Sequence, residues 1–584
     1  MELERISGCP VAPGRLLIRP GGDEEALTNH IRNLGFTFVR DLELARAQLW
    51  LAPKSLPVAR AMRIVRRLPG APAVEPDYVR TLSQAPNDPD FSEQYAAAKM
   101  HMPQAWDLTT GGADTIVAVI DSGVQYDHAD LAGNMYANDG EVLDGIDNDG
   151  NGYVDDIIGW DFLSGSYSDP GQDNDPADIF GHGTEVAGVA GAVANNAVGI
   201  AGVAWQVRIM PLKIGGDPEL PFLSTIAAIE AIDYAVAQGA NVINASYIGY
   251  SYSHFEIEAL QSAQDANVIV VAAAGNDSAD IDQTPSYPSA YNLANVLSVA
   301  ATDSADDLTS FSNYGIKTVD LAAPGSNIYT TTVGNGFRST NGTSFASPQV
   351  AGIAALMRTV FPAISVQTLR LMMMEGTDAI SSLAGKAVTG GRANAFSALS
   401  AQIPWAKTYG SVPAPPRAIP DNDPAGITDA INVPGDLNIR AVSVTVKVKH
   451  PRIGDIGLTI ESPSGTVNTL KSPSDNDHAG FTYTFDTQWD FRGEATTGDW
   501  RLTVSDNSPQ DAGTLFNWSL EIYIDAPNED VNGDGCVNVL DLLAVRNALH
   551  LQSADGREDV NRDGTVNILD MLAVRNKLGT CEGQ

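Results

Sequence analysis

The sequence predicts a multidomain chain whose centre is an α/β unit built on a parallel sheet. Three observations lead there. From about Tyr95 to Ala401, apolar strand-like runs alternate with helices of small residues, the pattern of a parallel sheet covered on both faces. At Pro404–Gly426, PWAKTYGSVPAPPRAIPDNDPAG is rich in proline, and short alternating strands follow it. Near the end, DVNGDGCVNVLDLLAVRNAL at Asp530 recurs as DVNRDGTVNILDMLAVRNKL at Asp559, a period of 559 − 530 = 29 residues, which marks a duplicated unit.

Taken in order, residues 1–84 read as a small α+β domain. GRLLIRP, AQLWLAP and VEPDYV are strand-like, EEALTNHIRNLG and PVARAMRIVRRLPG helix-like, and the polar TLSQAPNDPDF closes the segment. Residues 85–403 form the α/β unit. TIVAVID, RIMPLKI, NVINASY, NVIVVAAAG and VLSVAA are its strands; EVAGVAGAVAN, STIAAIEAIDYAVAQG and PQVAGIAALMRTVF are its helices. Residues 404–425 are a linker. Residues 426–525 carry AVSVTVKVKH, DIGLTIESPSG, FTYTF, WRLTVSD and WSLEIYI, an all-β sandwich or jelly roll. Residues 526–584 hold the repeat.

The 584 residues are 43% hydrophobic, enough for well-filled cores, and the net charge is −37. Clustered Lys and Arg are what nucleic acid and anionic membranes require, so the charge argues against both as partners. The acid suits a secreted chain that loads calcium, and equally one that only keeps its surface soluble. No apolar run reaches membrane-spanning length. Of the cysteines Cys9, Cys536 and Cys581, the last two share the tail and could form one bridge. The opening residues lack the apolar core of a signal peptide, which a trimmed or misplaced start would reconcile with secretion.

The chemistry concentrates in the α/β unit. Asp121 ends the strand TIVAVI, and ligands of parallel sheets gather at strand carboxyl ends; alone, it could simply cap a turn. His182 opens a helix between Gly181 and Gly183, better placed for chemistry than a core histidine. Asn276 follows NVIVVAAAG, where its amide could donate to an oxyanion or serve a turn. Ser344, in NGTSFASPQVAGIAAL, is either a helix cap or a nucleophile next to the positive end of a helix dipole.

Together, DSG at Asp121, HGTEVAG at His182, AAGN ending at Asn276 and GTSFASPQVAG at Ser344 resemble the subtilisin-like serine proteases (subtilases) in the order of all four motifs, over about three hundred residues. The resemblance implies a Ser344–His182–Asp121 triad with Asn276 as oxyanion donor. One departure is Glu185, where many members have a second histidine; an acid there would raise the His182 pKa. NVINASYIGYS resembles the family's substrate-binding strand, which puts Ser246 and Tyr247 near the first specificity pocket.

Two acidic patterns predict calcium. In DGIDNDGNGYVDD, the ligands Asp147, Asp149, Asn151, the Tyr153 carbonyl and Asp155 have alternate-residue spacing around Gly152. In the tail, Asp530, Asn532, Asp534, Asn538 and Asp541 fit loop positions 1, 3, 5, 9 and 12 of an EF-hand, and Asp559, Asn561, Asp563, Asn567 and Asp570 repeat them. With Asp at position 12 and no entering helix, the repeats resemble dockerin modules, which implies a cohesin-bearing partner. HPRIGDIGLTIESPSGTVNTL and GTLFNWSLEI resemble the P domain (proprotein convertase domain). The first domain has the element order of a subtilase propeptide, which implies autocleavage between Tyr78 and Asp90.

The expectation is a secreted, Ca2+-dependent serine endopeptidase acting on polypeptides, with a monomeric catalytic unit. A catalytically dead scaffold and a protease restricted to maturing one partner are the alternatives.

Overall fold

The computed structural model describes residues 4–6, 9–19, 24–42, 46–53, 56–66, 68, 73–78, 85–166, 169–218, 220–401, 403–413, 415–434, 438–473, 481–486, 490–524, 536–537, 574 and 580–581. The chain divides into two compact units, one of residues 1–82, 405–407 and 525–584, the other of 83–404 and 408–524.

In the first unit, Cys9–Arg19 is the central strand of an antiparallel sheet, paired with Glu4–Ile6, Ala47–Leu51 and Ala73–Tyr78; Thr37–Leu42 completes it beyond Ala47–Leu51. The helices Glu24–Asn33 and Val58–Arg66 bury Leu27, Ile31, Val58, Ala61 and Val65 against Leu16, Ile18 and Trp50 of the sheet. The strand, helix, strand, helix, strand order read from the sequence is present, with Glu4–Ile6 and Thr37–Leu42 as two added strands. Cys536–Val537 and Thr580–Cys581 pair antiparallel, with Cys536 opposite Cys581.

The second unit holds a sheet of ten strands among the described residues. Its middle runs Val296–Thr302, Ile269–Ala273, Val242–Ala245, Gly111–Asp121, Gln206–Lys213, all parallel. Their inner residues are continuously buried, as both-face coverage demands. Each predicted strand is present. So are the predicted helices, at His182–Gly191, Thr225–Ala237 and Thr343–Val360. A further helix, His254–Asp265, was not anticipated, because HFEIEALQSAQD has too polar a face to announce itself.

The Thr343–Val360 helix runs buried from Thr343 through Arg358. Its small residues permit this: a Cβ at Gly352 would lie 2.5 Å from Val203 Cβ and 3.0 Å from the Ala190 carbonyl oxygen. The helix and sheet share one core that includes Val117, Val119, Val186, Ala190, Val271, Leu297, Ala346, Val350 and Ile353.

The all-β segment is a sandwich. Ile439–Lys449 lies between Phe481–Asp486 and Gly513–Ile524 in one sheet; Gly498–Asp506 lies between Ile427–Val433 and Ile456–Glu461 in the other, with Val467–Lys471 at its edge. Val444, Val446, Leu458, Ile460, Trp500, Leu502, Trp518 and Leu520 fill it. Arg417–Ile419, inside the stretch expected as linker, pairs with Gly513–Ile524. Glu375 of the α/β part ion-pairs with Arg440 and, at 2.7 Å, with Arg492 of the sandwich. No helix among the described residues is long and apolar enough to cross a membrane.

Candidate active site

Asp121 terminates one of the apolar strands in the middle of the sheet and is fully buried. Its Oδ1 accepts the Ser122 N–H at 2.7 Å and lies 2.7 Å from His182 Nδ1. Oδ2 has no hydrogen-bond partner among the described residues. The approach that allows this contact depends on Gly183, where a Cβ would lie 2.0 Å from the Gly123 carbonyl oxygen.

His182 is aimed by a turn that Asp178 organises. The Asp178 carboxylate is buried and accepts the N–H groups of Phe180, Gly181 and Thr184 and the hydroxyls of Ser122 and Thr184, at 2.6–3.0 Å. Burial raises the Asp178 pKa against the pull of these donors. Burial by itself would lower the His182 pKa. The charge and hydrogen bond of Asp121, then Glu185 and Asp178, outweigh it, and the His182 pKa stands above the ordinary histidine value.

Ser344 is the second residue of the Thr343–Val360 helix, so its N–H is among those without an intrahelical acceptor. Its hydroxyl donates to the Ser246 carbonyl at 3.2 Å, and the Ser246 hydroxyl donates to the Ser344 carbonyl at 2.9 Å. Phe345, the next residue, has its ring 5.5 Å from the His182 ring. Asn276 is exposed at the end of Ile269–Ala273, and its Oδ1 accepts the N–H and hydroxyl of Thr343 at 2.9 and 3.1 Å. That fixes the amide with Nδ2 as the donor left over. Asp121 and Asn276, at or just past the carboxyl ends of central strands, therefore gather with His182 and Ser344 at the starts of the helices His182–Gly191 and Thr343–Val360.

Ser246 and Tyr247 lie on the segment just after Val242–Ala245. Ser246 is buried against Ser344. The Tyr247 phenol is 3.4 Å from Glu256 Oε1, and Glu256 Oε2 accepts the Tyr291 hydroxyl at 2.8 Å. Burial, then the Glu256 charge, pushes the Tyr247 pKa well up.

Carboxylates also converge away from this centre. One oxygen each of Glu141, Asp147 and Asp149 lies within 4.8 Å of the others. Asp147 accepts the N–H groups of Gly150, Asn151 and Gly152, and Asn151 Oδ1 accepts that of Tyr153. The Asp155 carboxylate instead caps Asp144 and Gly145 at 2.9–3.0 Å. Glu141 lies outside the alternate-residue run, which is why local spacing missed it.

A second convergence joins Asp88, Asp130 and Asn196. Asp130 accepts the Asn196 amide at 2.8 Å and the Ile200 N–H at 2.9 Å; Asp88 accepts the N–H groups of Asn195 and Asn196. Burial pushes Asp130 up to about 6, with Asp88 and Asp90 adding to the rise. These oxygens are the hard donors that a calcium ion takes. In the sandwich, His450, Asp455 and Asp506 form a buried group. The tail ligands from Asp530 to Asp541 and from Asp559 to Asp570 lie outside the described residues.

Residues 112–397 match the Subtilase family, 439–522 the proprotein convertase P-domain and 528–579 the dockerin type I domain. The chain is 37% identical over 315 residues to thermitase of Thermoactinomyces vulgaris, which covers 54% of this chain and 99% of that protein. It is 37% identical over 332 residues to the thermophilic serine proteinase of Bacillus sp. strain AK1, which covers 56% and 73% respectively. A solved protease structure from Pseudoalteromonas arctica covers 54% of this chain and 99% of its own at 27% identity, with a TM-score of 0.46. The chain belongs to the subtilase family of serine endopeptidases and carries a P-domain and a type I dockerin domain.

Proposed function

We propose that peptide bonds are cleaved by Ser344, with His182 as base and Asp121 as its orienting acid. The observation that supports this most is the 2.7 Å contact between His182 Nδ1 and the buried Asp121, beside the helix start that carries Ser344. With Nδ1 held as donor, the other ring nitrogen is the basic one. The Ser344 hydroxyl turns from the Ser246 carbonyl, gives its proton to His182 and attacks the scissile carbonyl carbon. The negative charge that moves onto the carbonyl oxygen meets Asn276 Nδ2 and the Ser344 N–H. Collapse breaks the C–N bond, and the imidazolium protonates the departing amine. Water, deprotonated by His182, then releases the acid from the acyl-enzyme.

Around this centre, residues 1–84 act as a propeptide, removed by cleavage between Tyr78 and Asp90. The P-domain supports the catalytic domain, and residues 526–584 tether the enzyme to a cohesin-bearing partner outside the cell. Calcium loads the Asp147–Asp155 loop, where Glu141, Asp147 and Asp149 already converge, and both dockerin loops. Hydrolysis of unfolded casein tests the reading: Ser344→Ala should lose about 10⁶ in kcat, the loss known for subtilisin itself. Equal rates for the variant and the parent chain would overturn it.

A further inference from the structure

Glu185 sits on the same helix as His182, one turn on. Its side chain is 2% exposed, and its Oε1 ion-pairs with the guanidinium of Arg338, which is 59% exposed. Arg338 lies on Gly336–Thr340, directly opposite Thr330 of Ile328–Thr332 in an antiparallel hairpin. That hairpin runs through Asn341 and Gly342 into the helix that carries Ser344.

The hairpin and the His182 helix also meet through their backbones. The Thr330 hydroxyl donates to the Glu185 carbonyl and the Thr331 hydroxyl to the Thr184 carbonyl, both at 2.7 Å. There is no slack between them: a Cβ at Gly188 would lie 2.1 Å from Thr331 Oγ1. Burial raises the pKa of a carboxylate in such a place, and the Arg338 charge is the largest pull against that rise. Here the cation comes from the segment that delivers the nucleophile.

We propose that Glu185 and Arg338 are a positioning pair, clasping the helix that carries His182 to the hairpin that delivers Ser344 and so setting the separation of base and nucleophile. The pair rests on the catalytic reading above. It also has an electrostatic consequence. His182 faces Asp121 from the strand Gly111–Asp121, Asp178 from the preceding turn and Glu185 from its own helix, while Glu185 faces Arg338 and Asp178. The Glu185 charge favours the imidazolium, and Arg338 offsets part of it.

The test is a kinetic cycle on the full chain. Arg338→Gln changes an exposed side chain but strands the buried Glu185 carboxylate, so its thermal midpoint is read beside that of the double variant, which leaves no charge behind. Arg338→Gln should lower kcat about 10-fold with little change in KM, because misplacement of a catalytic group falls on the chemical step. Arg338→Lys should recover most of the loss. The double variant Glu185→Gln, Arg338→Gln should be no slower than the slower single, since the two side chains act as one unit. Glu185→Gln alone should move the acidic limb of kcat/KM to lower pH. If the parent chain hydrolyses casein while Arg338→Gln keeps its kcat and pH profile, this inference fails and the catalytic reading stands. If the parent chain is inactive and Ser344→Ala makes no difference, the catalytic reading itself fails.

Discussion

Asp121 is buried in a way that the orienting role proposed for it accounts for. A carboxylate without exposure, with Oδ2 unpartnered among the described residues and Oδ1 shared between Ser122 and His182, is a costly arrangement for a turn cap. Asp121→Asn should fall by about 3 × 10⁴ in kcat, the loss known for the corresponding aspartate of subtilisin. Asn276→Ala should fall by about 10²–10³, again the subtilisin value. Stopped assays on an unfolded substrate read both. Because neutral imidazole is the base and the His182 pKa is raised, the acidic limb of kcat/KM should stand above the ordinary histidine pKa of about 6.5. The same raised pKa stabilises the fold where His182 is charged; that contribution is full below about pH 6.5 and is lost as pH rises through the folded value. The four residues of the centre were legible because each sits in a peptide with its own local signature. Arg338 was not, because nothing near it in the chain announces Glu185. Asp88 and Asn196 were hidden for the same reason, 108 residues apart.

At the scale of elements, the alternation of apolar strands with small-residue helices was enough to place the parallel sheet. The reason is physical: strands buried on both faces leave no room for polar residues. The helix His254–Asp265 was illegible because it buries Glu256 beside Tyr247 and Tyr291, which breaks the apolar stripe. Arg417–Ile419 was hidden by the prolines around it. The Thr343–Val360 helix makes the sharpest prediction. Gly352→Val inserts atoms where Val203 and the Ala190 carbonyl already touch, and should destabilise by about 1–3 kcal/mol, read as a lower thermal midpoint. In the tail, the register that sets Cys536 opposite Cys581 supports the bridge expected there. A denatured, unreduced sample should titrate one thiol, from Cys9; three thiols would remove the bridge.

For the whole molecule, one ion-pair cluster joins parts of the second unit. Glu375 holds Arg440 and Arg492 of the sandwich. Glu375→Gln should weaken this ion-pair cluster by about 2 kcal/mol, the scale of hydrogen bonds to a charged group, read as a lower unfolding midpoint. A second contribution is the calcium proposed above. At a hundredfold excess over its Kd, each ion adds about 2.7 kcal/mol, so chelation should lower the midpoint markedly. Separately, burial holds Asp130 at about 6, so its charged form costs stability, and that cost grows as pH rises from the ordinary carboxylate range to about 6; the midpoint in chelator should fall over that range.

The central claim is that Ser344, activated by His182, is the nucleophile. Intact mass after incubation with a serine-directed fluorophosphonate tests it most directly. One adduct on the parent chain, mapped by peptide sequencing to Ser344 and absent from His182→Ala, is the predicted result. No adduct, or one that maps to another serine, would contradict the account.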